Sequence, residues 1–407
     1  MYDLLKGLRV VEGAAFVAGP SCGLYLAQMG AEVIRFDAIG GGPDFNRWPV
    51  NQGGKSLYWE GLNKAKKSIA LDLTRPEGRE LAQRLATAPG ETGGLFVTNF
   101  PAEGFLSYRA LKALRDDLIC VRVMGWADGG PAVDYTINAA VGLPLMTGPV
   151  GDDRPVNHVL PAWDLLTGAY AAFTLLSAHL SRLSTGQGRE VRIPLSDIAA
   201  ATLANLGMVG ETLQAGRQRE RMGNHLYGAF GRDFVTADGR RIMLVAITPR
   251  QWKGVLEVLG LTDAVAALES ELGVDLARDE GARFNHRTRL EPLFEAAFAG
   301  NALTKLTPAF DALGVCWGPY QPLEAALADP RLFAGNPVFS EILHPSGARY
   351  PAAGAAATLP DQTRGEVRSA PRLGEHTEEI LGDVLGLSAG EIARLHDQGI
   401  VASGSSA

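Results

Sequence analysis

The sequence predicts an α/β protein, with a large Rossmann-like domain and a smaller α+β domain. Three observations carry this prediction. Residues 8–195 alternate short β-branched runs with helical segments, an order typical of a parallel sheet with helices on both faces. The polar run at 216–224 interrupts that alternation. The chain has 407 residues, which is more than one simple core normally holds.

The elements of the large domain are marked by short apolar runs for strands, and by proline or apolar periodicity for helices. Pro20 opens the first helix, which ends at Gly30, and Pro76 opens another. Strands are predicted at 8–14, 31–37, 68–73, 94–100, 118–125 and 189–195, a polar helix at 107–117, and a long apolar helix at roughly 163–183. Apolar residues that recur at helical spacing predict which face of the long helix packs on the core: Leu165, Ala169, Ala172, Leu176 and Leu180.

The smaller domain is predicted at 225–325, and its elements are a strand at 240–247 and helices at 251–261, 288–300 and 302–314. The large domain is then built from both ends of the chain, 1–215 and 330–407. The connecting segments 216–224 and 326–375 are predicted as linkers or crossings. The last helices are expected at 376–397, and the terminal VASGSSA is expected to fray.

Composition argues against nucleic acid, a membrane and a metal as partners. The net charge is −7 and no long basic run occurs, so nucleic acid is not expected to bind. No run of 18 apolar residues and no secretory pattern appear, so no membrane segment is expected. Three widely spaced cysteines fit neither a disulfide framework nor a CxxC metal site, which predicts a reduced, cytoplasmic protein without a metal.

Two local features have competing interpretations. The basic cluster Lys64, Lys66 and Lys67 is either a solvated surface turn or a patch that attracts the phosphates of a nucleotide-like ligand. The run Gly19–Gly23 fits GxSxG, so Ser21 could be a hydrolase nucleophile, or the run could be a Gly-Pro turn that starts a helix. No GxGxxG follows the first strand, so a nicotinamide dehydrogenase is poorly supported.

Asp164 stands at the start of the long helix, and two interpretations of it remain open. As an N-cap, its carboxylate would accept hydrogen bonds from the free amides of the first turn. As a nucleophile, it would attack an activated acyl group, since a helix N-terminus favours the anionic carboxylate. The nearby His158 is either a general base or a polar loop residue, and attack by a carboxylate on a thioester needs no base.

Motifs along nearly the whole chain resemble those of family III CoA-transferases. They are RVVEGAAFVAGP, GAEVIRFDAIGGGPDFNRWPV, NKAKKSIALDLTRPEG, TNFPAEGFL and APRLGEHTEEILGDVLGLS. The resemblance implies a CoA-transferring enzyme that forms a homodimer of two interlocked rings. It also implies an acyl-CoA substrate, so that coenzyme A enters as part of the substrate and no separate cofactor is needed.

The same resemblance assigns site residues. Asp164, in PAWDLLTG, falls where the family carries its catalytic aspartate, and Val17 and Ala18 would lie near CoA. The nucleotide part would be lined by Leu71, Asp72, Leu73, Thr74, Asn99, Phe100 and Pro101. Several of these residues follow predicted strands, at the sheet edge where doubly wound folds bind ligands: Val17, Ala18, Asn99 and Phe100.

The chain also departs from the family pattern. Ala38 stands where several relatives carry Arg, and Pro101 where they often have Arg or Gly, which leaves the lysine cluster as a substitute for phosphate contacts. Val133 precedes Asp134 where the racemase branch has a His-Asp pair, which disfavours racemisation. No Gly-rich loop precedes residue 251 to cover the aspartate, which favours transfer within one substrate molecule.

Within the family, a further set of runs resembles a branch that moves CoA between the two carboxyl groups of one methylated, unsaturated dicarboxylate. These runs are IGGGPDFNRWPV, TNFPAEGFLSY, LPLMTGPV, VNHVLPAWD and NHLYGAFGRDF. Three alternatives stay open. They are an intermolecular CoA-transferase with a separate acid as acceptor, a CoA-binding protein without catalysis, and the Ser21 hydrolase.

Overall fold

The structure, a computed structural model, describes residues 1–404 and divides the chain into two compact units. The first unit comprises Met1–Val141, His158–Glu211 and the chain from Gly335 onward, and the second comprises Gly142–Asn157 and Thr212–Ala334. The first unit is therefore assembled from separate stretches of chain, with both termini in it.

A seven-stranded sheet forms the centre of the first unit. Its strands are β1 (Arg9–Gly13), β2 (Glu32–Ala38), β3 (Lys67–Leu71), β4 (Leu95–Thr98), β5 (Ile119–Met124), β6 (Arg189–Pro194) and β12 (Val401–Ala402). Their spatial order is β12-β3-β2-β1-β4-β5-β6, and every pair is parallel except β12 with β3. The doubly wound sheet predicted from the sequence is confirmed.

Helices cover both faces of this sheet because neighbouring residues of each strand point to opposite sides. Val10 lies in the core that includes α1 (Ala18–Gln28) and α7 (Ala162–Thr185), whereas Val11 lies in the core on the other face. The helices of this unit are α1 (Ala18–Gln28), α2 (Leu57–Leu62), α3 (Pro76–Ala86), α4 (Tyr108–Lys112), α5 (Asp134–Ala140), α7 (Ala162–Thr185), α8 (Leu195–Asn205), α16 (Thr377–Glu379), a π-helical turn (Ile380–Val384) and α17 (Ala389–Asp397).

The point where the strand order reverses lies between β1 and β4. The chain runs from β1 to β2 and β3 on one side, then returns to place β4 on the other side of β1. In doubly wound sheets the loops that diverge from such a point leave a crevice for ligands. The loops that follow Gly13 and Thr98 therefore border the natural ligand-binding position of this fold.

The C-terminal segment corrects one expectation. Val401 pairs with Leu71 and Ala402 with Ala70, in an antiparallel edge strand, and both Ile400 and Val401 are buried. The expectation that VASGSSA frays is therefore wrong for its first residues, because strand pairing and burial hold them in place. Residues 405–407 of that run lie outside the described residues.

The face of α7 that packs on the core also differs from the predicted one. Many of the buried residues are small or short, including Thr167, Gly168, Ala171 and Ala178, although Leu175 is buried too, whereas Leu180 is 66% exposed. Helical periodicity was predicted correctly, but the face only in part: Ala172 lies in the core and Leu176 packs partly against it. The reason is that this helix packs closely on α1 through small side chains and leaves larger apolar ones outside.

The second unit has a three-stranded antiparallel sheet with an aromatic core. Its strands are β7 (Phe230–Val235), β8 (Arg241–Ala246) and β9 (Cys316–Pro319). Its helices are α6 (Leu143–Met146), α10 (Pro249–Leu259), α11 (Thr262–Leu272), α12 (Glu280–Asn285), α13 (Arg287–Ala299), α14 (Leu303–Leu313) and α15 (Leu323–Leu327), while α9 (Met208–Ala215) runs across the boundary. The core packs Phe230, Phe234, Trp252, Phe294 and Phe310 together.

Two segments differ from what the sequence suggested, one in the unit to which it belongs and the other in its secondary structure. The stretch 142–157, expected within the large domain, belongs with the second unit, where the Arg221 side chain donates to the carbonyls of Leu145 and Pro144. The Pro- and Gly-rich crossing at 326–375 contains an antiparallel hairpin of β10 (Phe339–Leu343) and β11 (Arg349–Ala353).

Candidate active site

Two loops at the reversal point of the sheet are tied together by one side chain. The Asn99 amide donates to the carbonyl of Ala15 at 3.0 Å, and its oxygen accepts the Ala15 amide at 3.1 Å. Val17 and Ala18 follow at the start of α1, and both are buried. The structure therefore brings three of the predicted ligand residues to one edge of the sheet.

The backbone of the neighbouring loop, Phe100–Pro101, is held by a side chain of the sheet. The buried Arg122 donates to the Phe100 carbonyl at 2.7 Å and to the Pro101 carbonyl at 3.0 Å. This guanidinium fixes the backbone of the loop but leaves the Pro101 ring exposed. The shape of the loop is thus determined by a core arginine two strands' width from β1.

The predicted residues Leu71 to Thr74 lie at the end of β3, two strands away from β1 on the other side. The Leu71 side chain is fully buried in the core, so its backbone alone could contact a ligand. Asp72 accepts the Thr74 amide at 3.0 Å and the Thr74 hydroxyl at 2.6 Å, which shapes the turn before α3. Leu73 packs against the core beneath this turn.

Gly168 allows α7 to lie directly against the start of α1. A Cβ atom at this position would stand 2.7 Å from the Ala18 carbonyl oxygen and 2.7 Å from the Ser21 Cβ. Only a residue without a side chain permits this approach. Because Gly168 lies one turn beyond Asp164 on α7, the contact places Asp164 beside the loop of Val17 and Ala18.

The free amides at the start of α7 are capped by Asp134 rather than by Asp164. One oxygen of the Asp134 carboxylate accepts the Trp163 amide at 2.6 Å and the Asp164 amide at 3.1 Å. Asp134 is 1% exposed, at the start of α5, and the Trp163 indole donates to Asn138 of the same helix. The N-cap interpretation of Asp164 is therefore wrong.

As a consequence, the Asp164 carboxylate makes no hydrogen bond with any residue in 1–404. Burial, and to a smaller extent the negative charge of Asp134, raise the pKa of this carboxyl to about 7, with Arg47 opposing both effects. The expectation that the helix N-terminus would favour the anion is outweighed here by burial. Asp164 is an unpartnered carboxyl group, part ionised at neutral pH, at the edge of the sheet where ligands bind.

His158 lies on the second oxygen of Asp134, with its Nε2 atom 2.7 Å away, and its ring contacts Tyr135. The argument against racemisation counted the missing His at position 133. The structure places an imidazole on Asp134 from a different part of the chain, so that argument does not hold by itself. The spacing of 24 residues between the two explains why no local motif revealed the pair.

Sequence reasoning missed Asp134 as a cap and did not single out Arg47 or Tyr58, which also lie near Asp164. The Tyr58 hydroxyl is buried, without a hydrogen-bond partner of normal geometry in residues 1–404. The pKa of Tyr58 is raised to about 12, mainly by burial, while Arg47 lowers it and the negative charge of Asp164 adds to the increase. The run FNRWPV contained the only signal for Arg47, whereas nothing in the sequence marks the cap.

Neither interpretation of the lysine cluster survives. Lys66 is 3% exposed and its ammonium contacts both oxygens of Glu12, at 2.9 and 3.0 Å. Burial lowers the pKa of Lys66, and the charge of Glu12 opposes that effect. Lys64 is also buried, and Lys67 pairs with Glu32 and Glu379. Lys66 and Lys67 form ion pairs and Lys64 donates to the Gly61 carbonyl, so the three are neither a solvated turn nor a free phosphate patch.

The hydrolase interpretation is also wrong. Ser21 lies inside α1 and is 1% exposed, and its hydroxyl has no hydrogen-bond partner among residues 1–404. A nucleophile elbow needs an exposed hydroxyl on a turn and a base within reach. The Gly-Pro run instead belongs to the first turn of the helix, which begins at Ala18.

The chain belongs to CoA-transferase family III, whose profile matches residues 5–377. Over 404 residues, 99% of this chain and 98% of the relative, it is 50% identical to the 2-methylfumaryl-CoA isomerase of Chloroflexus aurantiacus. It is 30% identical over 405 residues, 98% of each chain, to the succinyl-CoA–D-citramalate CoA-transferase of the same organism. A CAIB/BAIF family protein from Brucella suis aligns with a TM-score of 0.74 at 25% identity, over 94% of this chain and 100% of that chain.

Across residues 1–404, no helix has the length and apolar character needed to cross a bilayer. The same residues contain no group of three or more His, Cys, Asp or Glu side chains arranged to hold a metal ion.

Proposed function

We propose that this chain moves CoA from carbon 1 to carbon 4 of one dicarboxylate, converting 2-methylfumaryl-CoA to 3-methylfumaryl-CoA. The observation that carries the reaction class is the Asp164 carboxylate, which is freed from capping by Asp134 and has no hydrogen bond of its own in the described chain. The 50% identity to the Chloroflexus isomerase supports the choice of substrate.

The first half of the reaction releases the dicarboxylate. An Asp164 oxygen attacks the thioester carbonyl carbon, the carbon–sulfur bond breaks, and CoA leaves as a thiolate. The resulting mixed anhydride joins Asp164 to carbon 1 of methylfumarate. The thiolate then attacks the Asp164 carbonyl carbon, so that methylfumarate departs as a dianion and an aspartyl-CoA thioester remains.

The second half repeats these steps in reverse from the other end of the molecule. The carbon 4 carboxylate attacks the aspartyl thioester and displaces the thiolate, forming a second anhydride. The thiolate then attacks carbon 4 and frees Asp164. The reaction consumes neither a proton nor water, so it needs no general base beside Asp164.

The fragments must stay together for this sequence to be intramolecular. Keeping them in one cavity makes each attack effectively unimolecular, which can be worth about 7–11 kcal/mol. Exclusion of water protects the anhydrides from hydrolysis. We propose that CoA lies along the crevice between the loops of Val17 and Ala18 and of Asn99 to Pro101, with the Leu71–Thr74 turn at its nucleotide end.

A homodimer is part of the proposal. Large apolar residues of α7 lie on one face and are 42–66% exposed: Leu166, Tyr170, Phe173, Leu180 and Leu183. A contiguous apolar stripe of this size on a single chain is typical of an interface. We therefore propose that a second copy covers it, and that sedimentation of the purified protein gives twice the mass of one chain; a monomer would contradict this.

The three thiols are free, which fits a reducing, cytoplasmic compartment.

Racemisation is a weaker candidate for this site despite the His158–Asp134 pair. Carbon 2 of 2-methylfumaryl-CoA carries the methyl group and the double bond, so it has no proton to exchange. An intermolecular transferase is the stronger alternative, since the family and the 30% identical relative support CoA transfer in general.

The proposal is tested with Asp164→Ala. The purified variant should bind CoA and melt like the wild type, while conversion of 2-methylfumaryl-CoA, followed by chromatography and mass spectrometry, falls at least about 10³-fold because the covalent route is lost. Arg394→Gln, an exposed change on α17, should convert substrate at the wild-type rate. Substantial turnover by Asp164→Ala would remove this residue from the nucleophile role.

A further inference from the structure

Arg47 lies in the loop between β2 and α2, and its backbone is fixed to the helix that carries Tyr58. The Ser56 hydroxyl donates to the Arg47 carbonyl at 2.5 Å and accepts the Trp59 amide at 3.0 Å, which caps α2. Ser56 is 5% exposed, so this double contact is protected from water. The position of Arg47 relative to Tyr58 is therefore set by a buried hydrogen bond.

The Arg47 guanidinium lies over two aromatic rings. Its central carbon is 5.5 Å from the centre of the Phe16 ring and 5.6 Å from that of Tyr58. Phe16 is itself held in place, since it adopts a left-handed φ of 70° and donates its amide to the buried Asp44 at 3.0 Å. These contacts hold the guanidinium beside the loop that leads into Val17.

The positive charge of Arg47 is not neutralised by a carboxylate among the described residues. It lowers the pKa of Asp164 and the pKa of Tyr58, so it acts on both groups. Across residues 1–404, no carboxylate lies within 4.0 Å of its guanidinium, and the side chain remains exposed. Arg35, on the preceding strand, is by contrast paired with Asp37, so its charge is neutralised within the protein whereas that of Arg47 is not.

We propose that Arg47 binds the carboxylate of the acyl group that is not in the thioester, and that it selects dicarboxylate monothioesters over neutral acyl-CoAs. The inference rests on the proposed function and deepens it. A substrate carboxylate that enters a pocket beside the negative Asp164 needs a cation, and arginine offers a two-pronged, charge-assisted contact.

The same cation serves both halves of the reaction. While carbon 1 reacts at Asp164, the carbon 4 carboxylate rests on Arg47, and after methylfumarate turns the two ends exchange places. Between the halves the free dianion is held only by noncovalent contacts, and Arg47 supplies the positive charge for it. Loss of this charge should therefore let the intermediate escape and let outside acid enter.

The test compares Arg47→Gln and Arg47→Lys with wild type and with the Arg394→Gln control. The substrate is 2-methylfumaryl-CoA, and the probe is (E)-2-methylbut-2-enoyl-CoA, which has a methyl group in place of the free carboxylate and acts as a competitive inhibitor. Melting curves check that each variant is folded. Isotope-labelled methylfumarate in the buffer reports exchange of the intermediate.

Arg47→Gln should raise KM for 2-methylfumaryl-CoA about 10- to 100-fold, the usual effect of losing a charge-assisted contact, while the Ki of the neutral probe stays within about twofold. Label should appear in its product but not in that of wild type, and Arg47→Lys should recover part of the affinity. If the KM of the substrate and the Ki of the probe rise equally, or if neither changes, the role assigned to Arg47 is wrong. The proposed function would still stand. A wild type inactive on 2-methylfumaryl-CoA would overturn the proposed function and this inference with it.

Discussion

At the scale of single residues, Asp164 is governed by two opposed electrostatic effects. A helix N-terminus stabilises an anion by about 0.3–1 kcal/mol, which corresponds to less than one pKa unit. Burial and the neighbouring Asp134 charge exceed this effect and raise the pKa of Asp164 to about 7. Such a carboxylate is more basic, and therefore more nucleophilic, than an ordinary aspartate, yet a useful fraction of it is ionised at neutral pH.

The pH dependence of the rate follows from this pKa. Because the nucleophile is the deprotonated form, kcat/KM should fall as the pH drops through about 7, with about a tenfold loss for each further pH unit. Initial rates with 2-methylfumaryl-CoA between pH 5 and 9 measure this limb. An acid limb near pH 4 would mean that burial does not control this carboxyl.

Replacing Asp134 tests the origin of the shift. Arg47, Tyr58 and Asp134 are charged or titratable groups that act on Asp164 or respond to it, and His158 lies on the other oxygen of Asp134. Asp134→Asn keeps an oxygen for the helix amides but removes the negative charge, so the acid limb should move to lower pH. A purely structural role would reduce the rate equally at every pH and leave the limb in place.

At the scale of helices, the contact between α1 and α7 positions Asp164, the proposed nucleophile. Gly168 is the residue that permits it, since any side chain would meet the backbone of Ala18. The sequence signal here was misleading: apolar spacing predicted a face that includes Leu180, which is exposed, because local periodicity cannot distinguish a core face from a face that another chain covers. Most residues that do pack are small and only weakly hydrophobic, so apart from Leu175 they do little to define the buried face.

Gly168→Ala should displace α7 from α1 and thereby misplace Asp164. We expect kcat to fall about 10- to 100-fold, as an error of about 1 Å in a reacting group can cost, together with a lower melting temperature. Gly210→Ala is the matched control, because Gly210 is also helical and has no atom within 4 Å of the added Cβ. Full activity in Gly168→Ala would show that the close contact does not set the geometry of the site.

At the scale of the whole molecule, the sequence predicts what is encoded locally and fails where distant segments pair. The strands from β1 to β6 and the division of the chain before 216 follow from short-range patterns. The edge strand at Val401, the ion pair of Lys66 with Glu12 and the cap of α7 by Asp134 join residues 330, 54 and 29 or more positions apart. No local pattern marks such pairs, and buried lysines are rare enough that composition indicates a surface.

The site shows the same division. Asp164 was found through its motif, but its role depended on which group caps the helix, and that is a tertiary contact. The alternative that remains is intermolecular transfer. The question is whether the dicarboxylate released from the thioester is the same molecule that receives CoA. Two CoA-transferase reactions that differ in this way need the same nucleophile and the same fold.

One measurement tests the central claim most directly. Purified protein is incubated with unlabelled 2-methylfumaryl-CoA and a large excess of isotope-labelled free methylfumarate, and the CoA esters are resolved by mass spectrometry. Intramolecular transfer predicts complete conversion to the equilibrium mixture of the two isomers with no label in either ester. Labelled 3-methylfumaryl-CoA in proportion to the free acid, or conversion that requires the acid, would contradict the account and assign the chain to intermolecular transfer.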